Sequence, residues 1–295
     1  MSKTVQMARV VNGLARQQVS TVPFALFRIL EVGRDPNAGA SDLAAVVERD
    51  QASAARMLRV ANSGLYAGLS GTRVESIDQA IVRIGFHTAR EIALSATVCT
   101  LFRSTKALRH YSLEGLWHHS LSVAAAARLV YSSVGLNLGY DPYLSGLLHD
   151  FGIVLEHQFL FEYGFALAVN AQCENDTDLR TEEHAHLGIT HEEVGAEIAR
   201  LWDFPSHIRT VIRHHHEWGN CPDGDILELV HAVRVAEWMC HELHYGYSDL
   251  GARTAESHMR SASAIGLDEQ LYATIKEQLS VECEHMNAIH WFQIA

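Results

Sequence analysis

Apolar residues recur along this chain at steps of three and four, the spacing that lines one face of an α-helix. Residues 21–33, TVPFALFRILEVG, carry that period, with Pro23 placed to open a helix and Gly33 to end it. After an Asp35-Pro36-Asn37 turn, Ser41 is placed to cap SDLAAVVERD, and residues 51–62 continue with Ala54, Met57, Leu58 and Ala61 on one face. Ser76-Ile77-Asp78-Gln79 has the form of a capping box before a helix stopped at Gly85. Further helices are predicted over 88–103, over 112–134 and from the Asp141-Pro142 pair through Gly152. Others follow over 191–204 behind a Thr190–Glu193 capping box, and over 206–218, 225–245 and 268–289. No stretch combines period-two alternation with hairpin turns, and no repeat of 20–50 residues is present. The pattern predicts an all-α protein in two lobes, with the seam around Lys106 to Ser112.

Composition narrows the class. An apolar share of 48% supports a packed core without covalent staples. Five cysteines, an odd number with no C-x-x-C pair, point to a reducing compartment rather than a disulfide framework or zinc ribbon. The opening MSKTVQMARVVNGLARQQ lacks the apolar stretch of a signal peptide, and the longest apolar runs, Val123–Ala127 and Phe165–Val169, are far short of a membrane span. A cytoplasmic protein without membrane attachment is expected. The net charge of −12 and the presence of only three lysines disfavour general nucleic-acid binding, because the phosphate backbone is repelled.

Nineteen histidines, dispersed along the chain, supply the candidate chemistry. Five places stand out: Trp117-His118-His119-Ser120, His149-Asp150, His184/His186/His191, His214-His215-His216-Glu217 and Ala236-Glu237. Each falls on or at the end of a predicted helix. Helical metal centres are built this way, from single ligands that several helices project into a shared interior. Imidazole with carboxylate suits iron, manganese, zinc, nickel or cobalt rather than a soft thiolate site. Neighbouring helical residues point about 100° apart, so an adjacent His-Asp pair can serve two ions, the aspartate bridging them. Plainer readings stand beside this one. The histidines next to Trp117 suit a core position bonded to backbone, the triple histidine suits a solvated helix end, and Glu237 suits a surface position.

The order H…HD…H…HH…D resembles that of the HD superfamily of metal-dependent phosphohydrolases. The upstream stretches VPFALFRILEVG, DLAAVVERDQASAARMLRVANSGLY and SIDQAIVRIGFHTAREIAL are similar to the HDOD domain, an HD-related output domain. LWHHSLSVAAAARL, YLSGLLHDFG, HEEVGAEIARLWDFP and HIRTVIRHHHEW continue the likeness, which covers roughly residues 15–240. The resemblance implies a multi-helical HD-domain-like bundle with an N-terminal helical lobe. It divides the chain into an N-terminal helical extension (1–14), an HDOD domain (15–240) with an N-terminal lobe (15–105) and a metal-site lobe (106–240), and a C-terminal helical extension (241–295) packing on the latter. It implies His119, His149, Asp150, His191, His215 and His216 as metal ligands, with His184 and His186 as near alternatives. Glu237 stands where the family writes Asp and, one methylene longer, is implied as a further oxygen ligand to the metal. The Gly-Tyr-Pro signature of the related HD-GYP phosphodiesterases is replaced by Trp218-Gly219-Asn220-Cys221-Pro222. The extra carboxylate of three-metal relatives is replaced by Gly115, so two metals are expected rather than three.

The function implied is that of a bacterial signal-transduction module, with two divalent transition-metal ions, iron or manganese first and zinc or nickel next. A signalling protein is expected to dock on the N-terminal lobe, and the chain to be a monomer or homodimer. The competing reading is an active metal-dependent phosphohydrolase or phosphodiesterase. Asp150 would then bridge the metals in catalysis, and Arg209 and Arg213, one helical turn apart, would meet the phosphate of a phosphate-containing ligand. A helical interaction protein without metal is the third reading.

Overall fold

The computed structural model describes all residues except 1, 18–20, 36, 68–71, 103, 105, 107, 109–110, 176, 222–223, 248–254, 288, 290 and 292–295. Part of the expected lobe seam and of the Asp35–Asn37 turn therefore lies outside the described residues. In chain order the helices are α1 (Lys3–Gln17), α2 (Thr21–Arg34), α3 (Ala40–Val47), α4 (Gln51–Ala61), α5 (Gly64–Ala67), α6 (Ile77–Ile84) and α7 (Phe86–Cys99). They continue with α8 (Leu113–Ser133), α9 (Pro142–Leu148), α10 (Phe151–Phe159), α11 (Phe165–Asn175), α12 (Leu179–His186) and α13 (His191–Leu201). The last are α14 (Ser206–His214), α15 (Gly224–Glu242), α16 (Ala255–Ala264) and α17 (Glu269–Asn287). The fold is all-α. Among the described residues the one β-type pairing is an isolated bridge between Leu108 and Tyr111, and no helix is long and apolar enough to cross a membrane.

The chain forms two compact units. One comprises residues 18–103 with 284–295, the other 1–17 with 104–283. In the first, α2 and α4 pack on α7, and α3 and α4 on α6. Several local signals differ from expectation there. Helix α2 runs through Gly33 to Arg34, and a β-carbon at Gly33 would run into the Arg90 side chain. Gly33 thus serves close packing rather than termination. Helix α3 starts behind Gly39 instead of Ser41, and the Gly39 amide donates to Asp42 Oδ2 at 2.8 Å. The buried side of α4 includes Ser53 and Arg56 as well as Met57, Val60 and Ala61. Arg56 Nε donates to the Trp291 carbonyl at 2.9 Å and Nη1 to that of Ala96 at 3.4 Å, so two nitrogens of this buried guanidinium are paired with backbone. Ser76 and Gly85 cap α6 as the sequence predicts.

The second unit is organised by α8, whose Ala124–Ala127 stretch is fully buried. Small side chains there let α9 and α15 pack directly against it. Asp141 caps α9 through the Leu144 amide at 2.9 Å, with Pro142 as its first residue. The predicted single helix through Gly152 is instead two helices, α9 and α10, with His149 and Asp150 at the joint. Helix α10 lies against α13. Gly152 makes that approach possible, since a β-carbon there would collide with the His191 carbonyl. These packings bring one end of α8, the α9–α10 joint, the start of α13 and the end of α14 to the same interior.

Candidate metal centre

Four segments deliver histidine or aspartate to one buried point. His119 comes from α8, His149 and Asp150 from the α9–α10 joint, His191 from the first position of α13, and His215 and His216 from the residues just past α14. His119, His149, His191 and His215 are fully buried and Asp150 is 1% exposed, while His216 reaches partly to solvent.

The Asp150 carboxylate lies between two sets of imidazoles. Its Oδ2 is 3.2 Å from His149 Nε2 and 3.8 Å from His119 Nε2. Its Oδ1 is 3.4 Å from His215 Nε2 and 3.7 Å from His191 Nε2. His191 and His215 are themselves 3.3 Å apart through Nε2. Potential ligand atoms of His119, His149 and Asp150 all lie within 4.8 Å of one another, and so do those of Asp150, His191, His215 and His216.

The opposite ring nitrogens explain why the Nε2 atoms of His149, His191 and His215 point inward. His149 Nδ1 faces the Gly146 carbonyl at 2.7 Å, and His215 Nδ1 the Ile212 carbonyl at 3.0 Å. His191 Nδ1 is 3.0 Å from both Glu183 oxygens, and the His191 amide donates to Glu183 Oε2, also at 3.0 Å. Carbonyls and carboxylates only accept, so Nδ1 carries a proton on all three rings and Nε2 is the atom each ring turns to a ligand. Fixing the tautomer from behind is how proteins orient metal-ligating histidines.

Electrostatics agree. Burial alone would raise the Asp150 carboxyl, but His149, His215 and His191 hold it well below the usual carboxylate range. Burial would lower His191, yet Glu183 first, then Glu192 and Asp150, lift the ring well above its ordinary value. The shift favours the imidazolium form, whose Nε2–H can donate to His215 at 3.3 Å. Glu192 is fully buried; burial opposes its charge, but His191, His216 and His215 bring it down to about 2. Its Oε1 also meets Arg180 Nε at 2.9 Å. Burial first, and then Glu183, push the Glu156 carboxyl well above the usual carboxylate range.

The structure sorts the remaining candidates. His184 and His186 are exposed, His186 lying 3.6 Å from Glu182 on its own helix. His118 is only partly buried, and His214 turns its Nδ1 to the Glu217 carbonyl at 3.3 Å. Glu237 is fully buried rather than at the surface, but it joins none of the donor groups among the described residues. Its Oε2 lies 3.9 Å from His258 Nε2. Arg213 turns to the outer side of α13, 3.6 Å from Glu193, a residue that also holds Lys3 at 2.6 Å. Glu193 therefore does not close the predicted capping box; Glu183 caps the His191 amide instead. Arg209 is partly buried one turn earlier on α14. Glu183 and Glu192 also belong to the site, and the sequence alone does not single them out. Glu183 sits on α12, whose polar sequence LRTEEHAH has no apolar period to reveal it, and Glu192 read only as part of a cap.

The pattern that defines the HDOD domain matches residues 19–218. A solved HDOD domain protein of unknown function from Geobacter sulfurreducens is 26% identical, with a TM-score of 0.74, over 97% of this chain and 99% of that one. A Marinobacter aquaeolei VT8 structure, named provisionally for signal transduction, is 23% identical with a TM-score of 0.71, over 90% of this chain and 58% of its own. A Shewanella amazonensis SB2B structure, named provisionally as a phosphohydrolase, is 20% identical with a TM-score of 0.68, over 97% and 98%. An uncharacterised protein of Treponema pallidum (strain Nichols) is 24% identical over 210 residues, which span 70% of this chain but 40% of that protein. With a domain match across more than half its length and a solved relative of the same helical fold, this chain belongs to the HDOD domain family.

Proposed function

We propose that the protein is a bacterial signal-transduction and regulatory HDOD protein that keeps a di-metal centre. One observation carries the reading: a single carboxylate, Asp150, offers its two oxygens to two separate histidine groups. A lone ion needs no such division. His119 and His149 would hold one ion with Asp150 Oδ2, and His191, His215 and His216 the other with Oδ1. Imidazole and carboxylate favour iron or manganese, with zinc or nickel next. A third ion finds no support at Gly115, where a side chain would grow against Ser112 and Tyr247 and where the carbonyl accepts the Tyr247 amide at 3.0 Å.

Bound divalent ions supply Lewis acidity and a place for charge on a phosphoryl group. The chain's own residues favour holding metal over processing a phosphoester. Arg213 is paired with Glu193, and Arg180, beside Glu192, is also held by Glu217 at 2.5 Å. In the other compact unit, Val82 is 81% and Phe24 64% exposed, which supports a signalling partner docking there.

The phosphohydrolase reading has one observation in its favour, the partly exposed His216 at the edge of an otherwise buried centre. Turnover on a generic phosphodiester and on nucleotide phosphates, with manganese or iron supplied, separates the two. The regulatory reading expects no turnover by fully loaded protein. Turnover that disappears in folded Asp150→Ala would replace it with the enzyme.

A further inference from the structure

Arg234, on α15, is 1% exposed. Its Nη1 donates to the carbonyls of His215 and His216, the latter at 2.9 Å. Its other nitrogens face α16: Nε donates to Ser261 Oγ at 3.0 Å and Nη2 to Ser257 Oγ at 2.7 Å. His231 Nδ1 meets the same Ser261 hydroxyl at 3.1 Å. The planar guanidinium is the side chain able to hold two carbonyls and two hydroxyls at fixed angles; a lysine ammonium cannot span them. His258, next to Ser257 on the same turn of α16, is stacked on Trp238 with centroids 5.3 Å apart and faces Glu237. Residues 255–264 lie beyond the HDOD match at 19–218, yet they grip the backbone from which two ligand histidines project.

We propose that Arg234 is a positioning residue through which α16 sets the place of His215 and His216, so that this helix tunes how tightly their group holds metal. The inference rests on the di-metal reading above. It assigns the C-terminal segment to one histidine group only, because His119 and His149 hang from α8 and the α9–α10 joint, which Arg234 does not bond.

The test uses the full chain with Ser257→Ala, Ser261→Ala and their double variant, all of which retain Arg234. Ser257→Thr keeps the hydroxyl and serves as the conservative control. Hydrogen exchange of metal-free protein is read at residues 214–218, and cobalt(II) uptake is followed by its visible spectrum. The double variant should exchange faster at 214–218 and not in α8, and should bind one of two cobalt equivalents roughly tenfold more weakly, with the other unchanged. Ser257→Thr should match wild type. Unchanged exchange at 214–218 overturns the proposal, as does faster exchange with both affinities unchanged or equally reduced. Wild-type protein that takes up no cobalt would sink the di-metal reading instead, while the exchange data still decide whether α16 holds the histidine backbone.

Discussion

Asp150 is the residue on which both histidine groups depend. Asp150→Ala should therefore empty the whole centre, whereas His119→Ala should cost one equivalent and leave the group around His191 and His215 intact. Elemental analysis of the two variants checks this; a full complement of metal in folded Asp150→Ala would contradict it. Glu183 acts one step behind. It fixes the His191 ring and caps its amide, so Glu183→Gln should weaken metal binding by about 10–100-fold, the usual effect of losing such a partner, while the helix content stays unchanged by circular dichroism. Because Glu183 raises His191 well above its ordinary value, a bound ion must displace a proton from that ring. Metal uptake should release protons and strengthen as pH rises, which calorimetry in buffers of different ionisation enthalpy measures.

At the scale of elements, the centre exists because helices approach closely at chosen points. Gly152 lets α10 meet α13 beneath His191. Gly152→Ala puts a methyl group against backbone that cannot rotate away, and should cost at least the 1–3 kcal/mol typical of overpacking, seen as a fall in Tm. An unchanged Tm would mean that α10 and α13 do not pack as described. Capping chemistry made much of this architecture legible. Ser76, Ser112 and Asp141 start their helices through their own oxygens, and Gly85 ends one. Signals failed where a distant contact overrode a local one. Glu193 was drawn outward by Lys3 and Arg213, Gly33 was claimed by Arg90, and the α9–α10 helix broke at the two residues that serve the site. The ligand histidines could be found from their family order. Glu183, Glu192 and Arg234 could not, since a carboxylate or guanidinium that supports a ligand from behind has no fixed spacing along the chain.

The whole molecule buries histidines outside the centre, and these shape its response to acid. Burial first, then Lys106, brings His157 down to about 4; burial and Arg234 do the same for His231. An unfolded chain protonates both near 6.5, so between about 6.5 and 4 the unfolded state binds more protons and stability falls as pH falls. The loss approaches roughly 3 kcal/mol for each ring at the acid end of that window. Denaturant melts at stepped pH should show this slope, and folded His157→Gln should show a shallower one. A slope in folded His157→Gln equal to that of wild type would mean that this ring is charged in the fold. Helical class and family were readable from the sequence at this scale because period and motif order survive any packing detail. The grouping of residues 1–17 with 104–283, and of 284–295 with 18–103, was not, because it depends on which apolar faces meet.

The central claim is that Asp150 and two histidine groups hold a pair of transition-metal ions. The most direct measurement is elemental analysis of the full chain, purified anaerobically without a histidine tag, with anomalous scattering at the metal edges in crystals. The account predicts close to two equivalents, one beside His119 and His149 and one beside His191 and His215, with Asp150 between them. Less than a tenth of an equivalent of any transition metal, or a single ion bound away from Asp150, would contradict it.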